Sequence, residues 1–212
     1  ARRRSPRASI GLVINELDYI QPATPRGVDF VELLNAGTQA VSLAGHSLVT
    51  VDSKGLELAS YPLPDFTLSP GETFVVCGMP FVPNCDLVAA DGEDILPGLG
   101  DGSAAYALGL LRTPLRGGPA VLVDSVSYEG SVPGGPPGGG TWTEGTGLSP
   151  ADSAGGEAYL GISRLPDGND SDQNSIDFKP ACATPGLRNS ISPVDCALSP
   201  QQRTLVINEV DI

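Results

Sequence analysis

Histidine is nearly absent from this chain, which holds His46 and no other. A Ser/His/Asp triad would have to be built around that residue, and a histidine-containing zinc site would lack ligands at suitable spacing. His46 lies in an apolar segment, so a structural histidine, either packed or on the surface, is the favoured interpretation. The Gly-rich stretch 134–140 has neither the lysine nor the strand-to-helix context of a phosphate-binding loop. We therefore predict that the chain has no catalytic residues and is not an enzyme.

Basic residues are also scarce, with 12 Lys and Arg against 25 Asp and Glu and a net charge of −13. Nucleic acid requires clustered positive charge, so we expect no nucleic-acid partner. The one basic cluster lies in residues 1–9, which we interpret as a flexible leader rather than as a phosphate-binding arm. Carboxylates are plentiful, but nothing marks two of them as a catalytic pair held across a cleft. We expect two of these carboxylates, Glu16 and Glu32, to hydrogen-bond loop backbone or to face solvent.

The chain lacks long apolar runs as well, and none approaches the roughly 20 residues of a membrane span. We therefore predict that it is not membrane-spanning. No apolar core of a signal peptide is visible, but a mature secreted chain would have lost that segment. This absence consequently leaves the location open.

Helical periodicity is missing, while Gly (27) and Pro (20) are abundant. Such a composition is typical of many short strands joined by turns. Three strands are predicted near the start: LVINEL (12–17), DFVELLN (29–35) and VSLAGHSL (41–48). A further strand at 120–130 alternates, with Leu122, Val126 and Tyr128 expected on one face and Val121 and Val123 on the other. The predicted fold class is all-β.

The segment 131–147 is too rich in Gly and Pro for regular structure and contains the single tryptophan, Trp142. Trp142 is either an exposed aromatic for a sugar or protein partner or a plug laid on the sheet. We favour the plug.

Four cysteines form two local pairs, Cys77 with Cys85 and Cys182 with Cys196. Neither pair has the spacing of a zinc site or a redox motif. Of three connectivities, closure of each local loop is the simplest, and the alternative is four buried free thiols. Two local disulfides would place the protein in an oxidising compartment, and we expect it to be extracellular or on the cell surface.

An acidic loop near the end of the sequence is the best candidate for a metal site. Closely spaced Asp and Asn oxygens are the ligands that calcium prefers. Asp170, Asp172 and Asn174 have the spacing found at the start of an EF-hand loop. However, Ser175 replaces the usual glycine, and no glutamate stands at the last ligand position. The alternative is a loop whose side chains cap their own backbone. The candidate calcium ligands are Asp167, Asn169, Asp170, Asp172, Asn174 and Asp177.

The same loop carries an N-glycosylation sequon, Asn169-Asp170-Ser171. It would hold a glycan only in a eukaryotic secreted protein. We therefore retain Asn169 as a candidate glycosylation site.

The last eight residues, 205–212, read LVINEVDI and repeat the predicted first strand almost letter for letter. One explanation is the start of a following module in a tandem array. The other is an edge strand shared with a neighbouring copy, which would build a head-to-tail filament. The candidate assembly residues are Leu205, Val206, Ile207, Asn208, Glu209 and Val210.

Several of these segments together carry a family resemblance. LVINEL, DFVELLNAG, VSLAGHSL and LSPGETFVV stand in the order and spacing of lamin tail domains, especially those of secreted and surface proteins. AVLVDSVSYEG and ISRLPDGNDSDQNSIDF are similar to the later part of that module. One departure is His46, where members often carry an aromatic residue.

This resemblance covers about residues 10–189 and implies an immunoglobulin-like β-sandwich, followed by a linker at 190–204. Two non-enzymatic functions remain. The first is a structural module whose partners are other copies of the chain or adjacent modules. The second is an accessory binding domain within a larger secreted enzyme. Such a domain would bind carbohydrate, calcium or protein, and its partner would be a glycan or a protein on a cell surface.

Overall fold

The computed structural model describes residues 11–19, 29–89, 93–98, 104–114, 116–150 and 160–189. Within these ranges the chain is built from short strands and a single helical turn. The elements in chain order are β1 (Leu12–Asp18), β2 (Phe30–Asn35), β3 (Val41–Ser42), β4 (His46–Val51), β5 (Glu57–Pro62), β6 (Thr67–Leu68), β7 (Thr73–Cys77), β8 (Leu87–Val88), β9 (Tyr106–Arg112), β10 (Val121–Tyr128), β11 (Leu160–Arg164), α1 (Asn174–Asp177) and β12 (Phe178–Cys182).

Two sheets form the body of the protein. The larger has the order β12-β11-β1-β2-β7-β8, and the smaller has the order β10-β9-β4-β5. All pairings in these sheets are antiparallel except the short β7–β8 pair. The main apolar core combines side chains of both sheets, including Ile14, Val31, Leu48, Leu108 and Val126. The predicted all-β sandwich is confirmed.

Strand β1 occupies a central position, between β2 and β11. Ile14 and Leu17 point into the core and are fully buried. The register against β2 shifts between Ile14 and Glu16. Because of this irregularity, the consecutive polar residues Asn15 and Glu16 are both buried, with 1% and 0% of their surface exposed.

Two strand predictions need correction. The segment 41–48 is not one strand, because a turn at Ala44-Gly45 divides it into β3 and the start of β4. Gly45 adopts φ +76°, a conformation that a glycine accepts without strain. In β10 the register shifts between Leu122 and Asp124. Leu122 therefore lies on the opposite face from Val126 and Tyr128, whereas regular alternation predicts the same face for all three.

Residues 131–147 form what we call the apolar cover, which lies on the outer face of the smaller sheet. Trp142 is 5% exposed and packs against Val49, Val51 and Leu122. A Cβ atom on Gly109 would approach the Trp142 ring to 2.7 Å, so the indole lies directly on the strand backbone. The interpretation of Trp142 as a plug is confirmed.

The disulfide Cys77–Cys85 is present, with its Cα atoms 6.0 Å apart, as predicted. Cys182 is also disulfide-bonded, whereas Cys196, its predicted partner, lies outside the described residues. The same holds for the leader 1–9, the linker 190–204 and the assembly residues 205–212, so these predictions stay predictions. In the ranges that the structure describes, no helix has the length and apolar character needed to cross a membrane.

Candidate functional site

Arg164, the last residue of β11, is the centre of the acidic loop. Its side chain is fully buried and its guanidinium lies 2.9 Å from Asp124 of β10, 3.3 Å from Asp177 and 3.5 Å from Asp170. The guanidinium also stacks on the Phe178 ring, 4.4 Å from its centroid. The Asp124–Arg164 pair therefore ties the smaller sheet to the larger one.

Three carboxylates, Asp124, Glu144 and Asp170, bring one oxygen each within 4.8 Å of one another. Burial, reinforced by Asp124 and Asp170, raises the pKa of Glu144 to about 9. Burial also raises the pKa of Asp124, although Arg164 opposes that shift. These groups could supply oxygen ligands to a hard cation, but such a cation would compete with the Arg164 guanidinium for the same carboxylates.

Asp177 organises the backbone of the loop. Its Oδ2 accepts hydrogen bonds from the N–H groups of Ser171 (2.8 Å) and Gln173 (3.3 Å). Its Oδ1 accepts from the Asn169 amide (2.9 Å) and the Ser171 hydroxyl (2.7 Å). Both carboxylate oxygens are thus used to hold the loop in one shape.

Asn174 joins the loop to the outer edge of β10. Its Oδ1 accepts from the N–H of Ser127 (3.1 Å) and its Nδ2 donates to the Ser125 carbonyl (2.8 Å). The side-chain amide therefore replaces a peptide group of a neighbouring strand at that edge. Asn174 is fully buried.

The six predicted calcium ligands are not gathered around one point. Asp177 and Asn174 are buried and hydrogen-bonded, whereas Asp167, Asn169 and the two remaining aspartates of the loop are exposed. Only Asp170 belongs to the three-carboxylate group. This arrangement favours the alternative of a self-capping loop, and the calcium site stays a prediction.

Sequence reasoning missed Arg164, Asp124 and Glu144. Arg164 and Asp124 are each the single charged residue inside an apolar strand, YLGISRL and AVLVDSVSY respectively. A lone charge in a buried strand usually has a buried partner of opposite sign. This rule is the signal in the sequence that could have paired the two residues.

A second polar centre holds residues 183–189, which we call the polar strap, on the outer face of the larger sheet. Glu16 and Glu32 face each other on β1 and β2. Glu16 accepts from the N–H of Thr184 (3.1 Å to each carboxylate oxygen), and Glu32 accepts from the N–H of Gly186 (2.7 Å). Of the two alternatives expected for these glutamates, hydrogen bonding to loop backbone is the one found, and neither side chain faces solvent.

The pKa values of both glutamates are raised, chiefly by burial. The pKa of Glu32 rises to about 7, and that of Glu16 lies well above its ordinary value with Glu32 adding to the shift. Burial therefore favours the protonated carboxyl groups, whereas the N–H groups of the polar strap oppose that shift because they hydrogen-bond more strongly to the charged form. Asp29 is a third buried acid, with its pKa raised by burial to about 7.

A half-open groove of about 710 Å³ lies between the ends of β1 and β2 and the loops at 166–168 and 186–188. Its deepest polar side chains, Asn15 and Asn35, already have internal partners. Asp167, Leu187 and Arg188 form its accessible rim. None of the described residues that line the groove is aromatic, so it lacks the stacking platform that sugars favour.

The remaining candidates have structural contacts. His46 is 4% exposed, its Nδ1 lies 3.2 Å from the Leu43 carbonyl, and burial lowers its pKa. These features agree with a packed structural histidine. Asn169 is exposed, but its amide donates to Asp177, so the sequon nitrogen is engaged within the loop. Occupancy of the sequon stays a prediction.

Comparison with known proteins gives one positive result. A family model described as Lamin Tail Domain matches residues 5–129, more than half of the chain. No curated protein matches the sequence. The matched range includes β1 to β10 and ends before Arg164 and the acidic loop.

Proposed function

Because the chain belongs to the lamin tail domain family, we propose that it is a non-enzymatic extracellular module that connects copies of itself or adjacent modules. Lamin tail domains are immunoglobulin-like modules that serve interaction rather than catalysis. The connection is made by the terminal segment 205–212, either as the start of a tandem array or in a head-to-tail filament.

The repeat of β1 at residues 205–212 carries this proposal. A segment rich in Leu, Val and Ile that repeats a strand sequence has backbone donors and acceptors that pairing with a sheet would satisfy. A head-to-tail contact of this kind extends into a filament where the rotation between copies does not close into a ring.

The chemistry of the described residues supports a binding role over a catalytic one. Asp124 and Asp177 pair with Arg164, while Glu16 and Glu32 accept from backbone amides. These buried ionisable groups have structural partners. The Cys77–Cys85 disulfide supports an oxidising, extracellular setting.

Deletion of residues 205–212 from the full chain tests the proposal. We expect the full chain to form species whose mass, measured by light scattering after size exclusion, grows with protein concentration, and the deletion variant to stay monomeric. A variant with the same eight residues in scrambled order is the matched control for composition and length. Monomers of equal mass in all three proteins rule out a head-to-tail filament built through residues 205–212.

An accessory binding domain is the alternative, and the Asp124–Glu144–Asp170 group is the observation that favours it. In this alternative a divalent cation such as calcium binds at the acidic loop. Titration of calcium into chelated protein, followed by calorimetry, tests the idea. Heat of binding with a rise in Tm that Asp170→Asn removes supports it; no heat and no rise contradict it.

A further inference from the structure

We propose that residues 52–57, which we call the hairpin tip, bind the groove of a second copy of this chain, so that copies join head to tail. The inference rests on the proposed function in one respect, namely that copies of the chain bind each other. The contact is separate from residues 205–212, and all of its residues belong to the part of the chain that the structure describes.

The hairpin tip joins β4 to β5 and has a fixed shape. Asp52 Oδ1 accepts hydrogen bonds from the N–H groups of Lys54 and Leu56, at 2.9 Å each. A Cβ atom on Gly55 would approach the Pro133 carbonyl to 2.8 Å, so the apolar cover lies directly behind the tip. A loop that is held in this way loses little conformational entropy when it binds a partner.

The hairpin tip presents an apolar side chain between two opposite charges. Leu56 is 62% exposed, and Lys54 and Glu57 on either side of it in the sequence are also exposed. An exposed leucine adds little to the stability of its own chain. Its burial against a partner would remove apolar surface from water and favour binding.

The groove carries the complementary set of groups. Leu34 lies buried against it, and Leu187, 42% exposed, lies on its rim. Asp167 and Arg188 are exposed on the same rim, and no ion pair among the described residues joins them. The groove therefore offers one charge of each sign beside an apolar surface.

The proposed contact pairs these groups one to one. Lys54 of the hairpin tip meets Asp167, Glu57 meets Arg188, and Leu56 lies between them on the apolar surface of the groove. The internal hydrogen bonds to Asp167 are received by Oδ1, which leaves Oδ2 for the lysine. A ligand with a charge of one sign only would leave one of the two rim charges without a partner.

The hairpin tip and the groove lie at opposite ends of the sandwich. The tip follows Val51, which lies in one row with Ser127 near the end of β10. The next residue, Tyr128, stacks on Tyr19 just beyond the end of β1. The groove lies at the other end, beside Asn35, which pairs with the beginning of β1.

The length of the strands decides which groove the tip enters. Strand β1 has seven residues and is about 20 Å long, so a rigid tip reaches the groove of another copy and not its own. Such a contact leaves one free tip and one free groove, and it can therefore repeat along a row of copies. The contact is small, so we expect a dissociation constant on the order of 100 μM between single chains.

Charge exchange in the full chain tests this contact. Lys54→Glu and Asp167→Lys each bring two like charges together, and we expect each variant alone to weaken self-association at least about fivefold. The double variant K54E/D167K restores opposite charges in exchanged order and should associate within about twofold of the wild type. Sedimentation equilibrium over a range of protein concentrations measures all four proteins.

The two single variants also separate the contact from the net charge. K54E makes the chain more acidic and D167K makes it less acidic, so a general charge effect would move them in opposite directions. In an equimolar mixture of K54E and D167K, the altered tip of one chain fits the altered groove of the other. We therefore expect the mixture to regain wild-type association, which a folding defect in either variant would prevent.

A second exchange and an apolar substitution complete the test. Glu57→Arg with Arg188→Glu leaves Asp167 and its internal hydrogen bonds intact and should give the same pattern. Leu56→Ser should weaken association at least about fivefold. Ile176→Ser is the matched control, because Ile176 is 61% exposed and lies outside the contact, and it should have no effect.

A wild-type chain that stays monomeric up to about 1 mM overturns the inference, and so does a mixture or double variant that associates no better than the single variants. The proposed function fails separately, when deletion of residues 205–212 leaves the mass unchanged. That deletion keeps the hairpin tip and the groove, and the charge exchange keeps residues 205–212.

Discussion

The two sheets of this protein are covered on their outer faces in opposite ways. The apolar cover lies on the smaller sheet through the Trp142 ring, whereas the polar strap lies on the larger sheet through carboxylates that accept backbone N–H groups. Packing of a ring depends on buried area and shape, and it has no titratable group of its own. Hydrogen bonding to Glu16 and Glu32 depends on their protonation.

The two outer faces are therefore held by different kinds of contact, one by packing of an aromatic ring and the other by hydrogen bonds to buried carboxylates. The contact of the Trp142 ring with the smaller sheet involves no titrating group, whereas Glu16 and Glu32 beneath the polar strap have raised pKa values because they are buried. The disulfide loop Cys77–Cys85 also holds the strap by a hydrogen bond, since the Asn84 amide donates to the Pro185 carbonyl (2.8 Å).

Trp142→Ala should have the largest effect. It empties the apolar cover and leaves a cavity over Gly109, so we expect a loss of about 4 kcal/mol in the free energy of unfolding. Chemical denaturation at pH 5 and pH 8 measures it. The loss should be equal at the two pH values, and a loss that changes by more than a third between them contradicts the assignment of an apolar role.

The wild-type stability should depend on pH through the larger sheet. The folded-state pKa of Glu32 is about 7, above its ordinary value of 4.5, so the folded state holds the proton more tightly than the unfolded state. Stability is therefore fully present below pH 4.5 and is lost as the pH rises to 7. From this group alone we expect a fall of roughly 3 kcal/mol.

Glu32→Gln isolates that contribution. Asp29 acts in the same direction as Glu32, and the lowered pKa of His46 acts in the opposite direction. The variant keeps both groups, so the difference between its pH profile and that of the wild type reports Glu32 together with its effect on the neighbouring Glu16. If the stability of the variant and that of the wild type depend on pH in the same way between pH 4.5 and 7, Glu32 does not titrate in this range.

Gly109→Ala should cost about 2 kcal/mol, because the new methyl group overlaps the Trp142 ring. Trp142→Phe takes away the overlapping part of the indole. In a double-mutant cycle, the cost of Gly109→Ala should therefore fall in the W142F background. Additive costs show that the ring does not lie on the strand as described.

The sequence predicts these two faces unequally. The glycine-rich cover and its single tryptophan stand out in the composition, and the β1 segment is marked by its repeat at the end of the chain. The Arg164 cluster escapes prediction because its members lie far apart in sequence, with Asp124 and Arg164 separated by 40 positions. The bulge in β10 is not predicted for a different reason. The apolar residues of this strand alternate in the sequence, but one extra residue in the strand moves Leu122 to the opposite face from the residues that follow it.

Thr184→Val should have the smallest effect, below about 1 kcal/mol. The hydroxyl lies 3.3 Å and 3.4 Å from the Glu16 oxygens, at the long end of hydrogen bonding, while the backbone N–H at 3.1 Å is retained in the variant. Thr143→Val is the matched control in the apolar cover, where the hydroxyl has shorter contacts of 2.8 Å and 2.9 Å with the backbone of Val132. We expect Thr143→Val to be the more destabilising of the two in thermal denaturation. The reverse order would mean that side-chain hydroxyls, rather than backbone amides, hold the polar strap to the sheet.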